Sequence, residues 1–134
     1  MKRWTILGLL ILVTMFWAIS GQGDEPREAL QNFMRVKLKH SQKALEGLVM
    51  EDYDVVAKNA QEMSLLSLAE TWQVLQTPQY IEFSRKFRNA ADTLSDMAKK
   101  RNLEGATSAY NQVTIKCVEC HKYLRGLRMA KATK

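Results

Sequence analysis

The stretch PQYIEFSRKFRNAADTLSDMAK, residues 78–99, sets the fold class. Within it Tyr80, Phe83, Phe87, Ala90, Leu94 and Met97 recur at alternating steps of three and four, which is one face of an α-helix. Thr77-Pro78 stops one helix and starts this one, because a proline at the first helical position loses no intrahelical hydrogen bond. Lys99, Lys100 and Arg101 bring positive charge to its C-terminal end, where the helix dipole favours it.

The same periodicity extends in both directions. On the C-terminal side a helix is expected from about Leu103, with Ala106, Tyr110, Val113, Cys117, Cys120, Leu124 and Leu127 on its stripe and Gly105 weakening only its first turn. On the N-terminal side a segment follows Asp52 and Asp54, with Val56, Ala60, Met63 and Leu66 inward and an apolar tail from Trp72 to Leu75. A further segment has Asp24 as a cap and Pro26 just inside its start. Its stripe is read as Leu30, Met34, Leu38, Ser41, Leu45 and Leu48, which leaves His40 off the stripe and in solvent. Sustained period-two alternation and Asn-Gly or Asp-Gly turns are both missing. Four helices of this length joined by short connections form an all-α, antiparallel four-helix bundle, expected over residues 24–130 as one domain.

The first 20 residues read differently. Lys2 and Arg3 precede an uncharged apolar run from Trp4 to Ile19, and Ala18, Ser20 and Gly21 follow as small residues. This is the pattern of a secretory signal peptide. The alternative is an uncleaved N-terminal anchor, since about 20 apolar residues suffice to span a bilayer. Either way the remainder is expected outside the cytoplasm, in the periplasm. Without residues 1–20 the chain keeps 18 basic and 14 acidic residues, so its charge falls from +6 to +4. That mild excess, with no aromatic-plus-basic motif, excludes a nucleic-acid footprint. The Lys and Arg residues from Lys116 to Lys134 are either a solvated helix face or a docking patch for an acidic redox partner.

The chemistry lies at residues 117–121, Cys-Val-Glu-Cys-His, the C-x-x-C-H signature of c-type haem attachment. On a helix Cys117 and Cys120 share a face, so each thiolate can add to one vinyl group of a single haem c. His121 then lies where its imidazole can reach the iron as proximal ligand. Three other chemistries use paired cysteines. Structural zinc needs about four nitrogen or sulfur ligands, and outside the motif only His40 and scattered methionines are available. A thioredoxin-like dithiol belongs at a helix start in a βαβ setting. A disulfide across one helical turn would be strained and would link almost nothing.

With this motif near the end of an exported helical chain, the sequence resembles the class II cytochromes c, the cytochrome c-prime family. The resemblance covers about residues 26–128, and its specific part is the motif followed by Tyr123 and Arg125. The short connection around Met50-Glu51-Asp52 departs from the family pattern and leaves the register of the first helix open. The resemblance implies that Arg125, four residues after His121, serves haem-side electrostatics, the alternative being plain solvent exposure. It also implies that the first helix supplies the distal face. Met34 occupies it if the register is counted from Tyr53-Asp54, Leu38 if it is counted from Pro26.

Two functions follow as expectations. With Met34 as the distal iron ligand the chain is a one-electron carrier serving redox partner proteins. With an open apolar distal pocket around Leu38, Trp72 or Phe87 it binds a diatomic gas, nitric oxide or carbon monoxide. The family also implies a possible homodimer through its first two helices. No paired carboxylates or Ser/His/Asp constellation marks an enzyme.

Overall fold

The computed structural model describes residues 25–70 and 76–132. Among them are four helices and no strand: α1 Glu25–Val49, α2 Tyr53–Glu70, α3 Pro78–Lys99 and α4 Leu103–Ala132. The signal peptide expected over residues 1–20, the Asp24 cap and the Trp72–Leu75 tail lie outside the described residues.

Side-chain capping explains three of the helix starts. The Thr77 hydroxyl accepts from the Tyr80 N–H (3.3 Å), with Pro78 in the first turn of α3. The Asp52 carboxylate accepts from the Val55 N–H (3.1 Å) and the Asn102 side-chain Oδ1 from the Gly105 N–H (2.9 Å). Each satisfies a backbone donor that has no partner inside the helix.

Contacts divide the chain into two units, Met1–Met34 and Arg35–Lys134, and the division falls inside α1. The described part of the first unit is the opening of α1. There Leu30, Phe33 and Met34 are half-buried, while Glu28, Gln31 and Asn32 are exposed.

In the second unit the helices run antiparallel, and paired contacts show it. The Ser84 hydroxyl donates to the Ser67 carbonyl (3.3 Å) and the Ser95 hydroxyl to the Ala57 carbonyl (3.2 Å), so contacts climb α3 as they descend α2. Phe83 meets Tyr123 near one end of the α3–α4 pair, and Met97 approaches Gly105 near the other. Seven of the thirteen residues in the core cluster are alanine, which lets the helices approach closely. Close approach is also what allows serine hydroxyls to reach the neighbouring backbone, and every buried side-chain polar atom among the described residues has a partner.

The expected stripes of α2 and α3 match the buried residues Val56, Ala60, Met63, Tyr80, Phe87 and Leu94. That of α1 needs correction. Leu38 and Leu45 are 58% and 46% exposed. The inward face instead runs through Lys37, Ser41, Ala44 and Leu48. Leu38 and Leu45 each follow an inward residue by one position, so counting apolar residues selects the wrong neighbour. His40 also departs from expectation. It is half-buried, and its Nδ1 lies 2.9 Å from the Asn59 Oδ1. Because the Asn59 Nδ2 donates to the Val55 carbonyl (2.8 Å), its Oδ1 is the acceptor and His40 Nδ1–H the donor.

Candidate functional site

The motif falls in the middle of α4, a helix without a break from Leu103 to Ala132. Cys117, Cys120 and His121 therefore occupy positions i, i+3 and i+4, adjacent on one face. Local pairs support the helix here. Lys116 Nζ binds the Glu119 carboxylate at 3.0 Å, and the Thr114 hydroxyl donates to the Tyr110 carbonyl at 3.2 Å.

Burial grades across the motif. Cys117 is half-buried and packs against the core cluster that contains Phe87. Cys120 is half-buried, His121 is exposed, and neither cysteine is in a disulfide. The face thus presents two thiols at the edge of the core and an imidazole beside them at the surface. Among the described residues no group of three or more His, Cys, Asp or Glu could hold a metal ion. The ligand set that structural zinc requires is not assembled around the two thiols. The donor set does fit a haem held by two thioethers and one imidazole.

The neighbouring face of α4 is occupied by packing. Tyr123 lies against Phe83, ring centroids 5.3 Å apart and planes tilted by 41°. An open groove of about 470 Å³ runs there, lined by Phe83, Glu119, Lys122, Tyr123, Gly126 and Leu127. Of these α4 residues Tyr123 and Leu127, three and seven positions after Cys120, lie on its side of the helix, and Glu119, Lys122 and Gly126 face away from Cys117.

The other expected residues are dispersed. Arg125 is exposed one turn beyond His121. Met34 is half-buried and belongs to the first unit. Leu38 is more than half exposed, and Phe87 is buried at 5% exposure. Trp72 lies outside the described residues. His40 is tied to α2 through Asn59.

A residue absent from the sequence reading is Lys37. Its ammonium lies over the Phe87 ring, 4.2 Å from the centroid. Phe87 is one turn from Phe83, and α3 and α4 are antiparallel, so it is level with the turn of α4 before Tyr123. That turn contains Cys117 and Cys120. The only sequence signal was its place three residues after Met34 and four before Ser41, within the helical period but not apolar. On the same helix the Ser41 hydroxyl lies 3.2 Å from the Tyr110 hydroxyl, whose proton is directed to the Ser41 carbonyl (3.2 Å), which ties α1 to α4. No described helix is long and apolar enough to cross a membrane. No protein-family model, curated protein or solved structure matches the chain.

Proposed function

We propose that the chain is an exported c-type haem protein that carries single electrons between redox partners in the periplasm. The observation that carries this reading is the arrangement of Cys117, Cys120 and His121 on one face of an uninterrupted helix, both thiols outside any disulfide. Cys117 and Cys120 would hold haem c by thioether bonds, with His121 as the proximal ligand. The bound haem would supply a one-electron couple, its iron cycling between ferric and ferrous. The chain's own task is to fix that group, limit its exposure and set the charge around it. The resemblance of motif and helix number to the class II cytochromes c points the same way. Met34 is the proposed distal ligand and Arg125 the proposed partner of a haem propionate.

The test is the intact mass and absorption spectrum of the protein matured in a host that attaches c-type haem. The expected result is one covalent haem, lost when Cys117 and Cys120 are both replaced by alanine. A protein carrying no haem would overturn the proposal. The reduced spectrum with and without carbon monoxide then separates two functions. A low-spin spectrum indifferent to the gas belongs to a six-coordinate electron carrier, and a high-spin spectrum that shifts belongs to a gas-binding protein with an open distal face.

A further inference from the structure

Four cations lie on the second-unit part of α1: Arg35, Lys37, Lys39 and Lys43. Three are exposed, and Lys37 alone is half-buried. Its side chain sits on the inward stripe with Ser41, Ala44 and Leu48, and its ammonium rests on Phe87, which belongs to the core cluster against which Cys117 packs. The face of the ring attracts the cation. An inward lysine of this kind is uncommon, since lysine usually extends its charge into water.

We infer that Lys37 is a potential-setting residue, a positive charge on a half-buried side chain held against Phe87, at the level of the two attachment cysteines. The inference rests on the haem reading above and adds to it the group that tunes the couple. Reduction adds one negative charge to the site, so a cation held beside it stabilises the reduced form over the oxidised one. Charge acts over a longer range in the partly dry interior than across solvent, so Lys37 should outweigh the exposed Arg35, Lys39 and Lys43. Phe87 is a positioning element, its ring face attracting the ammonium at 4.2 Å.

The experiment is potentiometric titration of the haem-loaded full chain, with haem content first confirmed by mass. Lys37→Met and Lys37→Gln both keep a long side chain without charge, and Lys37→Arg keeps the charge. Both neutral variants should favour oxidation about tenfold, a fall of 59 mV for a one-electron couple. Lys37→Arg should restore the parent potential, and Arg35→Gln should leave it unmoved. Unchanged potentials in both neutral variants, with only a lower melting temperature, would make Lys37 a strut and overturn the inference. A change from six- to five-coordinate absorption in Lys37→Gln would also overturn it, by making Lys37 an iron ligand instead. Loss of covalent haem from the parent protein is a different result, visible before any titration, and removes the haem reading together with what is built on it.

Discussion

Glu51 and Arg101 hold the same place in two copies of one turn, both with a left-handed backbone, at φ 53° and 54°. In the first copy the Asp52 N–H reaches the Gly47 carbonyl (2.8 Å) and the Glu51 N–H the Leu48 carbonyl (3.3 Å). In the second the Asn102 N–H reaches the Met97 carbonyl (3.0 Å) and the Arg101 N–H the Ala98 carbonyl (2.8 Å). This is the Schellman pattern of a helix end, in which glycine usually takes the left-handed position. Asp52 and Asn102 then cap the next helix, so three residues end one helix and begin another.

Glycine at the left-handed position should therefore stabilise the protein. Glu51→Gly is expected to gain about 1 kcal/mol, the cost of holding a side-chain residue in this region. Arg101→Gly should gain less, because the Arg101 guanidinium stacks on Tyr53, 5.0 Å from the ring centroid. Denaturant midpoints of the two single variants check the order. An equal or larger gain for Arg101→Gly would contradict it.

Three glycines respond differently to alanine. A Cβ on Gly47 would lie 2.9 Å from the Val56 Cγ2 and 3.1 Å from the Asp52 carbonyl oxygen, so Gly47→Ala should destabilise by about 1–3 kcal/mol. At Gly105 the nearest atoms are the Asn102 amide (2.7 Å) and the Met97 sulfur (2.9 Å), ends of side chains that can shift, and the loss should be smaller. Gly126 has nothing within 4 Å of an added Cβ, so Gly126→Ala should gain about 0.5–1 kcal/mol from helix propensity. Thermal unfolding of the three variants should rank them in that order.

The polar ties of α1 predict a further contrast. Tyr110→Phe removes the hydroxyl that meets Ser41 and should cost about 1 kcal/mol. His40→Ala leaves the buried Asn59 Oδ1 without its donor, and the cost should be about 1–3 kcal/mol. Urea unfolding measures both, and no loss in His40→Ala would mean that water replaces the imidazole.

Met34→Ala tests the distal face of the proposed haem site. The reduced spectrum should turn from low-spin to high-spin and become sensitive to carbon monoxide. An unchanged spectrum would remove Met34 from the role.

Much of the fold is legible in the residues. α3 carries its aromatic and aliphatic side chains at an unambiguous period, and Thr77-Pro78 marks its start. The stripe of α1 is harder because Leu38 and Leu45 stand one position from Lys37 and Ala44, and apolarity alone favours the leucines. Which neighbour turns inward is decided by the tertiary partners, Phe87 for Lys37 and Tyr110 for Ser41. The motif is readable because its spacing is its chemistry, whereas Lys37 is hidden because a lysine in sequence looks like surface. The matched turns are not legible because neither left-handed residue is a glycine.

Those turns carry a consequence for assembly. Each joins its two helices through three residues, so the α1–α2 and α3–α4 hairpins close over short loops at little entropic cost. The contacts of Ser84 with Ser67 and Ser95 with Ala57 close over a longer connection, the seven residues between Glu70 and Pro78. Short-range closure is the faster event, so the favoured route forms two hairpins first and docks them along the serine seam afterwards. Kinetic φ-values should then be high beside Glu51 and Arg101 and low at Ser84 and Ser95, and the reverse pattern would rule this order out.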